Sequence, residues 1–147
     1  MVAKSPEQQI AMMVDGAQPQ CDEPLESAMI CSHAGTMAAG LIGAISGLGR
    51  GARTSELPNP VLIAVGPTTI YAFKYRPKGF KVKLKKGAEA ARWPRNQVRV
   101  ETGDTGVISQ FALIIDESDT YALEVTTAMG AREAYELFIA ALRRPSG

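Results

Sequence analysis

The chain has 147 residues, of which 46% are hydrophobic and 21% are charged, and its formal net charge at pH 7 is +1. These values are typical of one folded domain with its own core, and they exclude a largely disordered chain. Cys21, Cys31 and the single His33 lack the spacing of a metal site, so we expect no metal and no cofactor. The first residues lack the apolar core of a signal peptide, which predicts a cytoplasmic protein with reduced thiols.

The first predicted element is a short helix that begins near Ser5. Ser5 is a favourable N-cap, Pro6 suits the first helical position, and Gly16 marks the predicted end. The apolar stripe of this helix consists of Ile10, Met13 and Val14. Because three turns are marginally stable alone, we expect the stripe to pack against the rest of the domain. Residues 18–26, with two prolines, are predicted to form a connector.

Residues 27–49 form a run of 23 residues without a formal charge when His33 is neutral. A helix of about 20 apolar residues can span a bilayer, but hydroxyl residues and glycines interrupt this run. Small residues recur at every fourth position from 35 to 51, which is typical of helices that pack closely. Three interpretations stay open: a spanning helix, a helix packed on the domain and a glycine-rich loop. The stripe also predicts self-association through Gly35, Ala39, Gly43 and Gly47.

From residue 61 onward the sequence changes to short strands separated by turns. Residues 61–65 and 69–75, joined by a Gly-Pro turn, predict a hairpin. In residues 80–84 apolar side chains alternate with lysines, which is the period of a strand with one buried face and one exposed face. Further strands are predicted at 98–101, 110–115 and 121–126, and an amphipathic helix is predicted at 131–144.

Positive charge is concentrated between residues 74 and 99, where ten basic residues accompany a single acid, Glu89. The segments on either side are acidic overall. Such a block favours an anionic partner such as phospholipid headgroups, nucleic acid or an acidic protein surface. The alternative is a solvated lysine edge that prevents aggregation between strands. The predicted contact residues are Lys74, Arg76, Lys78, Lys81, Lys83, Lys85, Lys86, Arg92 and Arg95.

Three stretches support a family resemblance: the hairpin at 61–73, the Trp93-Pro94-Arg95 step before the strand at 98–100, and the closing helix at 135–142. With the order of strands followed by one helix, they resemble the bacterial pleckstrin-homology-like family over residues 59–144. The resemblance implies an α+β, mainly β fold: a half-open barrel of antiparallel strands capped by a C-terminal helix. A helical, glycine-rich N-terminal extension at 1–57 would precede this β domain at 58–147.

The resemblance implies a binding or scaffolding module. We expect no enzyme, because neither His33 nor Cys31 has the partner residues of a catalytic site. In lipid-binding members of the wider group a basic strand–loop–strand binds phosphate headgroups. We therefore expect a non-enzymatic domain that docks on the inner membrane leaflet or on an acidic protein. Two alternatives stay open. Four aromatic residues interleaved with the cations suit single-stranded nucleic acid on an OB-like barrel, although Lys78-Gly79-Phe80 does not continue as an RNA-recognition motif. The other alternative is a structural domain without a ligand.

Overall fold

The computed structural model of the protein describes residues 5–34, 53–76, 82–104, 108–126 and 131–144. Two α-helices and seven β-strands occur in this part of the chain. In chain order they are α1 (Pro6–Ala17), β1 (Ser27–His33), β2 (Val61–Val65), β3 (Thr69–Lys74), β4 (Glu89–Pro94), β5 (Val98–Asp104), β6 (Ile108–Ile115), β7 (Asp119–Thr126) and α2 (Arg132–Arg143). The prediction of an α+β, mainly β fold is confirmed.

The strands form one antiparallel sheet in the order β4-β3-β2-β1-β7-β6-β5. β1 joins the two halves of this sheet, because its residues 27–31 pair with β2 whereas Ser32 and His33 pair with β7. β4 and β5 are the two edges, and they do not pair with each other within the described residues. The sheet is therefore open, with β1 at its centre.

β1 corrects one interpretation of the sequence. Ser27–His33, the start of the uncharged run at 27–49, is a strand and not the beginning of a helix. The absence of charge reflects its central position in the sheet, where Ala28, Met29 and Cys31 are buried. None of the described helices is long and apolar enough to cross a bilayer.

Two predictions about the N-terminal part remain predictions. The small-residue stripe of Gly35, Ala39, Gly43 and Gly47 lies outside the described residues. The boundary between residues 57 and 58 is also untested as a domain division. β1, from the N-terminal side of that boundary, nevertheless pairs with β2 from its C-terminal side.

Both faces of the hairpin formed by β2 and β3 are covered. All of residues 61–65 and the consecutive residues 70–73 are buried, as the uninterrupted apolar run at 61–65 requires. Alternate side chains of a strand face opposite sides of the sheet. On one side Tyr71 and Phe73 stack with ring centroids 5.9 Å apart, and the Tyr71 hydroxyl donates to the Asp22 carboxylate at 2.7 Å. The predicted hairpin is confirmed, and the connector contacts one of its faces.

α1 is capped as predicted and packs on the rest of the domain. The Ser5 hydroxyl oxygen accepts from the Gln8 N–H at 3.1 Å, and the Gln8 side chain accepts from the Ser5 N–H at 2.9 Å. Met13 and Ala17 are buried, and the helix contacts β1 and α2. This packing supplies the stability that a helix of three turns lacks by itself.

The second half of the sheet is a meander of β5, β6 and β7, covered by α2. Asp116 and Glu117 form the β6–β7 turn at positive φ angles of 51° and 60°. Aspartate tolerates this left-handed conformation better than most residues do, which favours a turn here. Phe138 of α2 packs its ring edge-on against Phe111 of β6, with centroids 5.7 Å apart. The three predicted strands and the closing helix are confirmed, and β6 and β7 begin two residues earlier than predicted.

Candidate functional site

The lysine-rich segment after β3 is not a strand where the structure describes it. Residues 82–85 have no strand partner in the described part of the chain. Their burial still alternates, because Val82 and Leu84 are half-buried against the core whereas Lys83 and Lys85 are exposed. The strand predicted at 80–84 is thus wrong over its described residues, and the predicted exposure of alternate lysines is correct there.

The end of the N-terminal helical region contacts this segment in place of a neighbouring strand. The Gln20 side-chain amide donates to the Lys85 carbonyl oxygen at 2.8 Å. Gly16 approaches Val82 so closely that an added Cβ would lie 2.6 Å from the Val82 carbonyl oxygen. Only glycine allows such close contact between a helix and a backbone. The position of the lysines therefore depends on residues about 65 positions earlier in the chain.

We expect Gly16→Ala to lower the free energy of unfolding by about 1 kcal/mol. Alanine favours a helix over glycine by up to about 1 kcal/mol, but the methyl group would overlap the Val82 backbone, and such overpacking costs about 1–3 kcal/mol. Equilibrium urea denaturation measures the difference. Ala11→Gly, at an exposed position of α1, measures helix propensity alone. A stabilising effect of Gly16→Ala would show that this close contact does not exist.

Two backbone hydrogen bonds bring the end of β3 close to residues 85–88 of the connection that follows it. The Lys74 N–H donates to the Ala88 carbonyl oxygen at 2.8 Å, and the Ala88 N–H donates to the Lys85 carbonyl oxygen at 3.1 Å. Gly87 adopts a φ of 76°, a conformation that favours glycine, within this turn. Lys74, at the end of β3, consequently lies beside the turn that carries Lys85 and Lys86.

Five predicted contact residues are exposed and form no ion pair with a described residue. We call this group the basic loop; it consists of Lys74, Arg76, Lys83, Lys85 and Lys86. Lys78 and Lys81, which belong to the same stretch of sequence, lie outside the described residues. Among the described residues, no acid compensates the charge of the basic loop.

The arginines that follow the basic loop have acidic partners. The Arg92 guanidinium lies 2.7 Å from the Glu89 carboxylate and 3.5 Å from the Asp22 carboxylate. Arg99 pairs with Glu101 at 2.6 Å. Acidic residues from the neighbouring segments thus compensate these charges locally, and Arg92 differs in this respect from the basic loop.

Arg95 is buried, with 3% of its side chain exposed. Its Nη1 donates to the Glu26 carboxylate at 3.0 Å and to the Gly66 carbonyl oxygen at 2.8 Å, and its Nη2 donates to the Ala141 carbonyl oxygen. The guanidinium joins the residue before β1, the β2–β3 turn and the end of α2. Arg95 therefore does not share the exposed surface predicted for it, because its charge is used inside the protein.

The histidine and the two cysteines, which are the side chains most often used in catalysis or metal binding, are held by hydrogen bonding or burial within the fold. The Nε2 atom of His33 lies 2.9 Å from the Leu57 carbonyl oxygen. Burial raises the pKa of the Cys31 thiol well above its usual range, and burial together with the Asp22 charge raises the pKa of Cys21 to about 11. Both thiols are consequently protonated at neutral pH. Among the described residues, no three His, Cys, Asp or Glu side chains are grouped so that they could hold a metal ion.

A second basic feature is a cleft between β5 and α2, which we call the arginine cleft. Its volume is about 330 Å³, and none of its described lining residues is acidic. Arg99 and Val100 line it from β5, and Leu142, Arg143 and Arg144 line it from the end of α2 and the residue after it. The sequence did not indicate this feature, because it exists only where α2 packs beside a strand that lies about 40 residues earlier.

The basic loop and the arginine cleft are formed by different residues. The basic loop consists of the last residue of β3 and of described residues in the connection between β3 and β4, whereas the arginine cleft lies along an edge of the sheet. Each is defined by charge, exposure and packing within this chain. Comparison of the chain with protein-family models, with curated proteins and with solved structures found no match in any of the three.

Proposed function

We propose that the protein is a non-enzymatic module that docks on an anionic phospholipid surface through the basic loop. The observation that carries this proposal is a contrast between two groups of cations. Arg92, Arg95 and Arg99 each have a carboxylate partner, whereas the cations of the basic loop are exposed without one among the described residues. Each unpaired cation near an anionic membrane contributes about 1 kcal/mol of attraction.

The type of cation favours a membrane over an acidic protein as the partner. Four of the five side chains in the basic loop are lysines. A lysine is a flexible point charge, which suits the diffuse negative potential of headgroups, whereas arginine suits fixed pairs with a carboxylate. Val82 and Leu84 pack on the protein, so the lysines between and after them extend into solvent. An inner-leaflet, peripheral location in the cytoplasm follows from this proposal.

We also propose that the fold is a pleckstrin-homology-like half-open barrel. The strand order, the position of β1 in both halves of the sheet and the location of α2 after the last strand support this proposal. In the lipid-binding proteins of that group, a basic strand–loop–strand binds the headgroups. The connection between β3 and β4 would have the same role here.

Sedimentation with vesicles tests the proposed docking. We expect the protein to sediment with phosphatidylcholine vesicles that contain phosphatidylserine at low salt, and to be released at high salt, because salt screens exposed charges. Vesicles of phosphatidylcholine alone should leave it in the supernatant. Lys83→Gln/Lys85→Gln removes two charges of about 1 kcal/mol each and should weaken binding roughly 30-fold.

A matched variant distinguishes the effect of the basic loop on vesicle binding from the effect of net charge alone. Arg53→Gln/Arg99→Gln also removes two cations, but both are paired with acids, Arg53 with Glu56 and Arg99 with Glu101. We expect its vesicle binding to stay close to that of the unaltered protein. Equal weakening by the two double variants, or no sedimentation at any salt concentration, would refute docking through the basic loop.

Single-stranded DNA provides the remaining comparison. Phe73 is fully buried, and Trp93 packs against Tyr121 with ring centroids 5.0 Å apart. These two rings therefore belong to the packing of the domain, whereas stacking on bases requires exposed ring faces. We expect an oligonucleotide to bind more weakly than the phosphatidylserine vesicles do at equal salt. Tighter binding of the oligonucleotide would favour the nucleic-acid alternative.

A further inference from the structure

We propose that the arginine cleft binds an extended acidic peptide, which adds to the sheet as a strand beside β5. The inference is independent of the proposed membrane docking, because the cleft and the basic loop share no residue. It depends on three properties of the cleft: an open sheet edge, apolar lining residues and a set of arginines without acids among the lining residues.

The first property is the open edge of the sheet. β5 pairs with β6 along its whole length, from Val98 opposite Ile115 to Asp104 opposite Ser109, and no described strand pairs with its other side. An exposed edge strand presents backbone donors and acceptors to which another chain can pair. Strand addition of this kind is a common way in which proteins bind extended peptides.

The register shows which backbone groups face outward. The Asp116 N–H donates to the Gln97 carbonyl oxygen at 2.7 Å, and in an antiparallel pair the hydrogen-bonded positions alternate along the strand. Val98, Val100 and Thr102 therefore direct their backbone groups away from β6. The Val98 N–H is used in the turn before β5. The Val98 carbonyl and both backbone groups of Val100 and Thr102 have no partner in the described part of the chain.

The second property is an apolar lining, and the third is the charge of the walls. Val98, Val100 and Leu142 line the cleft and also pack on the core. Arg143 extends from α2 to the β5 side, where its Nη2 donates to the Thr102 hydroxyl at 3.2 Å. No described acid pairs with Arg143, whereas Arg144 lies 3.7 Å from the Glu26 carboxylate. Arg143 is therefore the cation best placed to bind a carboxylate of a peptide.

Charge also decides between two occupants of the open edge. If the β5 edges of two copies paired with each other, the described cleft residues of the second copy would bring no carboxylate to Arg143. A second copy therefore lacks the charge that complements this guanidinium. A peptide with acidic residues at alternate positions matches the cleft, because its backbone pairs with β5 and the carboxylates on the side of α2 meet the Arg143 guanidinium.

Fluorescence anisotropy with a labelled, end-blocked Glu-Val-Glu-Val-Glu-Val-Glu peptide tests the inference. We expect saturable binding to the full chain, and no binding of the corresponding Lys-Val peptide. Two methylated peptides test the pairing, one with N-methyl groups at the odd positions and the other with N-methyl groups at the even positions. Binding should be abolished only for the peptide whose methylated nitrogens face β5. Amide NMR signals of Val100 and Thr102 should shift when the unmodified peptide binds.

Two substitutions that each remove one positive charge test whether the peptide binds in the arginine cleft. Arg143→Gln should weaken peptide binding roughly tenfold, because a charge-assisted hydrogen bond is lost. Lys83→Gln, in the basic loop, should leave it unchanged. Equal weakening by both variants would indicate nonspecific attraction and overturn the inference, as would undiminished binding of both methylated peptides. Light scattering that shows a dimer dissociated by Val100→Pro would assign the edge to a second copy and also overturn it.

Discussion

Arg95→Met is expected to lower the free energy of unfolding by about 3–5 kcal/mol, the range typical of breaking a buried ion pair from one side. The substitution keeps most of the side-chain volume but removes every donor of the guanidinium. The Glu26 carboxylate loses its close partner, and the Gly66 and Ala141 carbonyl oxygens lose hydrogen bonds from a buried donor. A buried acceptor without a partner costs about 1–3 kcal/mol. Equilibrium urea denaturation, followed by far-ultraviolet circular dichroism, measures the loss.

Arg92→Met is the matched control for this prediction. The Arg92 side chain is 46% exposed and pairs with Glu89 at the surface, and exposed ion pairs contribute about 0–1 kcal/mol. We expect its loss of stability to be about 1 kcal/mol or less. Arg95→Lys should fall between the two variants, because one ammonium group cannot reproduce the planar geometry of a guanidinium. A loss for Arg95→Met no greater than that for Arg92→Met would contradict the structural role of Arg95.

Elements with strong local signals could be predicted from the sequence. Ser5 caps α1, and Ser5 and Gln8 form a reciprocal hydrogen-bonded pair that depends only on neighbouring residues. The hairpin at 61–74 combines two apolar runs with a short turn, and α2 repeats apolar residues at helical spacing. In each case the physical cause lies within a few residues of the element. Tertiary packing then reinforces the local preference and does not oppose it.

β1 and β4 were not predicted, because their signals are not local. β1 begins a run of small and uncharged residues whose pattern also fits a helix, and only pairing with β2 and β7 establishes a strand. β4 is an edge strand with the sequence Glu-Ala-Ala-Arg-Trp-Pro, which lacks β-branched residues. Pairing with β3 and the contact of Trp93 with Tyr121 stabilise it despite a low strand propensity.

The candidate site shows the same division between local and distant causes. The alternation of lysines with apolar residues correctly indicated that Lys83 and Lys85 are exposed. The sequence could not show that Asp22 and Glu26, from the connector, reach Arg92 and Arg95 in the folded protein. A count of charge along the chain therefore overestimates the charge that is available to a partner. The arginine cleft could not be predicted for a related reason, since its walls come from separate elements.

The second large effect is expected for Phe138→Ala, which should lower the free energy of unfolding by about 3–5 kcal/mol. Phe138 is fully buried and packs edge-on against Phe111, so truncation removes apolar contacts and leaves a cavity between α2 and the sheet. Thermal and urea denaturation measure the change. The adjacent Leu137 is 42% exposed, and Leu137→Ala, on the same helix, should change stability by less than about 0.5 kcal/mol.

The comparison between these neighbouring positions also tests how α2 is placed. If α2 packs on the sheet through Phe138, its loss should loosen the wall of the arginine cleft as well as lower stability. Peptide binding by Phe138→Ala should then weaken under conditions in which the protein is still folded, whereas vesicle binding through the basic loop should persist. Equal stability losses for Phe138→Ala and Leu137→Ala would mean that α2 lies in a different orientation. The cleft assigned to its end would then have no physical basis.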